Sequence, residues 1–423
     1  MNPPVFVYAD IRSFPVFVGR LWVHEGKRRE GATFEYDRSW LTNPNRFALE
    51  PALTLNPGPF HTPADKALFG ALGDSAPDRW GRVLMRRAAK YEAKESGGSP
   101  HALREIDFLL RVDDEARQGA LRFSQEGDGP FLACGESARI PPLIELPRLL
   151  SAAEHFSSET DSYEELRLLL APGSSLGGAR PKASVRDANA ELAIAKFPHK
   201  DDEFRTVLWE AVSLNLAEKA GIPVPARRVE KIKGKPVLLL RRFDRDGAVR
   251  IPFLSAMSML GAKDNEVHSY LEIADALRKY GSKPQDDIRQ LWRRIVFSVL
   301  ISNLDDHLRN HGFLYDGTNG WRLSPAYDLN PVPSDIKPRI LSTAIDYGDQ
   351  SASLDNAFSV SEYFGISAVQ AREIAEVVGG AVKMWRTEAV KCGLKSKEID
   401  RMSSAFEHPD LGAAVSRKCT GNG

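Results

Sequence analysis

Seven apolar residues fix one long segment of this 423-residue chain as a buried helix. Ile288, Leu291, Trp292, Ile295, Val296, Val299 and Leu300 fall at i, i+3, i+4, i+7, i+8, i+11 and i+12, which places all of them on one helical face. A helix with such a stripe must lie against a core. The chain then turns polar: Asn303-Leu304-Asp305-Asp306-His307-Leu308-Arg309-Asn310. A core helix therefore delivers a loop dense in carboxylate, amide, imidazole and guanidinium groups. Asp328 follows a short polar hairpin, in Tyr327-Asp328-Leu329.

An Asp, an Asn five residues on and a second Asp downstream is the layout of a phosphoryl-transfer site. The first Asp accepts the nucleophile's proton, and the Asn and second Asp hold the Mg²⁺ that bridges the phosphates. The spacing selects Asp305 as the base, with Asp306 as its solvated neighbour in a structural role. Asn310 and Asp328 are the expected Mg²⁺ ligands, and Arg309 can neutralise phosphate charge. His307 and His311 lie four apart and could share a metal. The zinc-hydrolase signature HExxH needs Glu directly after the first His, however, and Leu308 stands there. His307 is instead expected to orient the loop by hydrogen bonding, and His311 to be structural.

The rest of a nucleotide site is expected upstream. In GSSLGGARPKAS, from Gly173, Gly177 and Gly178 permit close backbone approach to a phosphate, and Lys182 adds a cation. Alone, this segment reads equally as a surface loop. It is followed by Ala193-Ile194-Ala195-Lys196, close to the kinase strand whose Lys meets the α- and β-phosphates. Glu210, on a predicted helix with Val207, Ala211, Leu214 and Ala217 on one face and Gly221 as its stop, either pairs with Lys196 or is exposed. Arg241-Arg242-Phe243-Asp244-Arg245 ends the next strand. It reads as a hinge that binds adenine, or as a strand end held by ion pairs.

Lys plus Arg and Asp plus Glu number 57 each, so bulk charge gives no dedicated DNA-binding surface. No apolar run reaches membrane-spanning length, and Cys134, Cys392 and Cys419 have no metal-ligand spacing. A cytoplasmic location is expected. PVFVGRLWVHEG and ATFEYDRSWL read as strands, the latter with Phe34, Tyr36 and Trp40 at strand spacing. Asp78 is placed to cap a helix containing Trp80, Val83 and Leu84. Ile374, Val377, Val378, Ala381 and Trp385 mark a further helix.

In combination the chain resembles the HipA family of bacterial serine/threonine kinases, toxins of type II toxin–antitoxin modules. The resemblance rests on GDSAPDRWG around Trp80, SSLGGARPKA from Ser174, IAKFP at Lys196, RRFDR at Arg241, SAMSMLG, SYLEIADALR, NLDDHLRN and SPAYDLNPVP. It implies an α+β fold of two parts, a mixed N-terminal subdomain and a bilobal protein-kinase-like region with an all-α C-terminal lobe. The expected boundaries are 1–135, 136–245 and 246–423.

The resemblance further implies ATP and Mg²⁺ as cofactors, Asp305 as catalytic base, and Gly177, Gly178, Ala179, Arg180, Pro181 and Lys182 as the phosphate loop. Lys196 would contact phosphates, and Arg241, Arg242 and Phe243 would line the adenine pocket. His307, Leu308, Arg309 and Tyr327 would border the nucleotide beside Asn310 and Asp328, with Glu210 in support. Ser175 matches a serine whose autophosphorylation shuts the kinase off, although Ser174 is adjacent. The implied partners are a protein substrate of the aminoacyl-tRNA synthetase class and a HipB-like antitoxin that supplies DNA binding. A small-molecule kinase on the same scaffold and a non-catalytic nucleotide-binding partner protein are the alternatives. The chain departs from the family at Arg309, where Lys is common, and at Arg241, where Glu is common.

Overall fold

Alternating apolar residues build the first sheet. Strands β1 (Val5–Ile11), β2 (Phe14–Glu25), β3 (Glu30–Tyr36), β4 (Pro59–His61) and β5 (Leu121–Ser124) form an antiparallel sheet in the order β4-β3-β2-β1-β5. Val7, Ala9, Val18, Leu21 and Phe34 are buried. The structure, a computed structural model, describes residues 3–25, 30–99, 102–134, 140–173, 178–317 and 320–416. Ser174, Ser175, Gly177 and Cys419 lie outside them, as does Gly26 of the expected turn after β2. Its contacts group the chain into two compact units, Met1–Asp202 with Glu230–Gly261, and Glu203–Val229 with Ala262–Gly423.

Trp40 departs from the expected strand. It is buried on a short helix, Arg38–Thr42, whose cap Asp37 accepts the Ser39 N–H. A residue that caps a helix through its side chain ends the extended run before it.

The helix Arg79–Glu95 starts at Asp78, as its sequence predicts. Trp80 and Leu84 pack with Leu149, Leu150, Phe156, Leu166 and Leu169 of the helices Leu146–Ser157 and Tyr163–Gly173. Ala183, Val185, Ala195 and Leu239 join this core from strands β6 (Lys182–Arg186), β7 (Leu192–Lys196) and Lys235–Arg241, which pair antiparallel. A buried charge cluster joins other parts of the same unit: Arg122 and Arg250 both bind Asp114, and Arg242 and Arg245 both bind Asp244.

The second unit is mainly helical and carries a hairpin, Gly312–Tyr315 with Trp321–Leu323. The apolar stripe from Ile288 to Leu300 is the inner face of the helix Pro284–Leu300. The helix Thr206–Lys219 is buried on nearly all sides. Its Trp209 lies 6.2 Å from Trp385, which stacks on Phe406 at 4.6 Å. Trp385 does not extend the helix Ala368–Val382 but opens the next, Trp385–Lys391, and Val377 faces solvent. Among the described residues no helix is long and apolar enough to cross a membrane.

Candidate active site

In the first unit, the register of β6 and β7 sets Lys182 opposite Lys196. Lys182 is buried and Lys196 half-buried. Residues directly opposed in an antiparallel pair share a face, where two like charges repel. Both ammonium groups are therefore carried on one face of the sheet.

The end of the glycine segment is pinned beside this pair. Gly178 has φ +84°, open to glycine without strain, and a Cβ there would lie 2.7 Å from Lys182 Nζ. Its N–H donates to Asp78 Oδ2 at 2.6 Å, while Asp78 Oδ1 accepts the Arg79 N–H at 2.8 Å. The Trp80 N–H donates to the Gly178 carbonyl at 3.1 Å, and Trp80 Nε1 donates to the Lys182 carbonyl at 2.9 Å. The helix cap and the glycine segment are thus one hydrogen-bonded piece. Ala179 and Arg180 are exposed, Arg180 pairing with Asp202, and Pro181 is buried, its carbonyl accepting the Phe197 N–H at 3.0 Å.

The RRFDR segment divides its roles. Arg241 is exposed and pairs with Glu191 at 2.6 Å. Arg242 is buried, bound to Asp244 and to the carbonyls of Ala116 and Arg117. Burial raises the Asp244 pKa, but Arg242 and Arg245 outweigh it and hold the carboxyl well below the usual range. The strand-end ion pairs are therefore present. Half-buried Phe243 has its ring 6.3 Å from Phe253.

In the second unit, the loop after the core helix is held from below. Asp305 is exposed, and Ser342 Oγ lies 3.4 Å from its Oδ1. Asn310 is buried, and its Nδ2 donates to the Asp305 carbonyl at 3.0 Å. That bond leaves Asn310 Oδ1 as the atom able to ligate. Leu308 is buried, and the Tyr327 hydroxyl donates to the Arg309 carbonyl at 2.7 Å. Arg309 itself pairs with Asp264 at 2.5 Å.

Asp306 corrects the sequence reading: it is buried, not solvated. Its carboxylate accepts from Tyr270 at 2.5 Å and Ser298 at 3.2 Å, and lies 3.2 Å from His311 Nε2. Burial raises its pKa, but His311, Tyr270 and His307 together bring it below the ordinary value. His311 thus has the expected structural place. The Nδ1 atoms of both His307 and His311 are buried without a hydrogen-bond partner among the described residues.

Asp328 is half-buried in a left-handed backbone conformation, φ +57°. Non-glycine residues are uncommon there, and such outliers concentrate at functional sites. Asn330 Nδ2 donates to Asp328 Oδ1 at 3.3 Å, while Asn330 Oδ1 is buried without a hydrogen-bond partner among the described residues. One carboxylate, one amide oxygen and an unsatisfied acceptor able to take a hydrated ion's water fit Mg²⁺, which uses few protein ligands and keeps several waters. Among the described residues no group of three or more His, Cys, Asp or Glu is arranged to hold a metal ion. Glu210 is buried, which rejects the exposed alternative.

Sequence reasoning missed Asp78 as a partner of the glycine segment, and Tyr270, Ser298, Asn303, Ser342 and Asn330 as supports of the loop. Asn303 and Asn330 stand in the quoted motifs, but nothing in their spacing says what they bind.

Residues 174–385 match the HipA-like C-terminal domain, and residues 10–106 match the HipA N-terminal domain. The chain belongs to the HipA family. Its relatives include the proposed kinase Y4mE of Sinorhizobium fredii, 26% identical over 338 residues, 73% of this chain and 74% of that one. A proposed kinase of Haemophilus influenzae is 25% identical over 255 residues, 52% of this chain and 74% of that one. The fold resembles that of HipA from Shewanella oneidensis, solved with HipB and operator DNA. The TM-score is 0.64 at 15% identity, covering 98% of this chain and 97% of that one. The two-part HipA architecture expected from the sequence is therefore present, and the chain is a homologue of HipA-type kinases.

Proposed function

We propose that this HipA-family chain is an ATP- and Mg²⁺-dependent serine/threonine protein kinase. The observation that carries the reading is the loop geometry: Asp305 is exposed, while Asn310, fixed by its bond to the Asp305 carbonyl, keeps Oδ1 for a metal. Asp305 would accept the hydroxyl proton of the substrate. Asn310 and Asp328 would hold Mg²⁺, which when bound neutralises charge between the β- and γ-phosphates. Lys182 and Lys196 would draw the phosphates, with Gly177 to Pro181 as the loop around them. Arg241 to Phe243 would contribute adenine contacts, Arg242 through its main chain because its guanidinium is engaged. His307, Leu308, Arg309 and Tyr327 would border the nucleotide, with Glu210 in support.

The family suggests a growth-inhibiting toxin whose substrate is a translation component of the aminoacyl-tRNA synthetase class. It also suggests a HipB-like DNA-binding antitoxin as partner, as in the Shewanella complex. Autophosphorylation at Ser175 would add about −1.5 to −2 charge beside the phosphate loop and switch it off by repulsion.

The test is transfer from γ-phosphate-labelled ATP. The wild type is expected to label itself or a protein substrate, and Asp305→Asn and Asp328→Asn are expected to abolish labelling with melting temperature retained. Labelling that persists in both variants removes the assignment. Mass spectrometry after induction, with Asp305→Asn as control, separates a protein substrate from a small-molecule one.

A further inference from the structure

We propose that Asn303 is a positioning residue for Asp328, acting through Asn330 to hold the carboxylate in its left-handed turn. This rests on the kinase reading of the same site. The backbone of Asp328, at φ +57°, lies in a region that L-residues sparsely populate and that the surrounding structure must hold. The support is visible. Asn303 Oδ1 accepts the Asn330 N–H at 3.0 Å, and the Ser302 carbonyl accepts the Val332 N–H at 3.1 Å. Asn330 then turns its Nδ2 onto Asp328 Oδ1 at 3.3 Å.

Asn303 is itself immobilised. It is 1% exposed. Its N–H donates to the Ser298 carbonyl at 2.9 Å and its Nδ2 to Ser298 Oγ at 3.3 Å. Ser298 Oγ in turn donates to Asp306 Oδ2 at 3.2 Å. Ser302, at φ +50°, makes the turn that lifts Asn303 off the helix end. One serine on the last turns of the core helix therefore anchors two segments: through Asp306, the loop bearing Asp305 and Asn310, and through Asn303 and Asn330, the turn bearing Asp328. Both roles of Asn303 require an amide, because it donates to a hydroxyl and accepts from a main-chain N–H. Groups that orient a ligating carboxylate set how well it binds its ion.

The test is calorimetric titration of a non-hydrolysable ATP analogue across Mg²⁺ concentrations, with thermal melting alongside. Asn303→Ala is expected to raise the Mg²⁺ needed for half-maximal binding by roughly tenfold or more, with little change in metal-free analogue binding. Asn330→Ala keeps its main-chain bond with Asn303 and removes the whole amide, both the contact with Asp328 and the Oδ1 acceptor, so it still tests the relay if Asn303→Ala fails to fold. It is expected to shift the Mg²⁺ requirement in the same direction. Ile295→Val, a core change on the same helix, is expected to lower the melting temperature and leave the Mg²⁺ requirement unchanged. A wild-type Mg²⁺ requirement in Asn330→Ala, or in a folded Asn303→Ala, overturns the proposal. A wild-type chain whose analogue binding ignores Mg²⁺ takes down the kinase reading, and this proposal with it.

Discussion

Lys182 and Lys196 stand directly opposite each other across the antiparallel pair of β6 and β7. On the kinase reading, these two ammonium groups on one sheet face are the cations that meet the nucleotide phosphates. Lys182→Met and Lys196→Met are each expected to weaken ATP binding roughly tenfold, about 1.4 kcal/mol, with little change in melting temperature. Calorimetry with each variant checks this. Affinity at the wild-type level would remove that lysine from the nucleotide site.

Asp78 serves two segments at once, capping its helix and accepting the Gly178 N–H. Asp78→Ala is expected to cost about 1 kcal/mol as a lost cap and also to raise the KM for ATP. Asp78→Asn, with one acceptor oxygen in place of two, should fall between. Melting curves and nucleotide titrations report the two effects separately, and a stability loss with no change in KM would uncouple them.

Asp306 should make stability sensitive to acid. Burial opposes its ionisation, but His311 and Tyr270 outweigh that and lower its pKa below the ordinary 3.8. A depressed carboxyl contributes stability above its unfolded pKa and loses it as pH falls through the folded one. The wild type should therefore lose stability on acidification below the usual aspartate range. Asp306→Asn should show a flatter profile there and be about 2 kcal/mol less stable at neutral pH, as expected when the buried donors Tyr270 and Ser298 lose a charged acceptor. Denaturant melts across pH read both effects.

Glu50 should act with the opposite sign. Burial pushes its pKa up to about 7, and Asp74 adds to this against the opposing Ala71 N–H bond. The folded chain then holds a proton that the unfolded chain releases near 4.5. Stability should decline as pH rises from there towards 7. Glu50→Gln is expected to flatten the profile and exceed the wild type at pH 8 by roughly 2 kcal/mol. Equal pH profiles would show that Glu50 ionises freely.

Much of the fold was legible because burial leaves a periodic mark. The stripe from Ile288 to Leu300 is the inner face of its helix, and Asp78 caps where the sequence places the cap. The reading failed where a side chain's role depends on what lies across from it. Trp40 and Trp385 fit the spacing of the preceding elements, but each belongs to a new helix, set by a cap or by packing. Asp305 and Asp306 are adjacent and chemically identical, yet one is exposed and the other is the buried hub of Tyr270, Ser298 and His311.

The amino-acid order alone determined the buried helix that leads into the candidate loop, because spacing along a regular element fixes which residues share a face, while its motifs carried the family resemblance and the candidate base and metal ligands. Tertiary structure alone decided which carboxylate is buried, which arginine of Arg241 and Arg242 is engaged in the core, and which asparagines brace Asp328. Those outcomes turn in part on distant partners, Asn303 with Asn330, Asp306 with Tyr270 and Arg242 with Ala116, 27, 36 and 126 positions apart, and no local pattern encodes a contact at that separation.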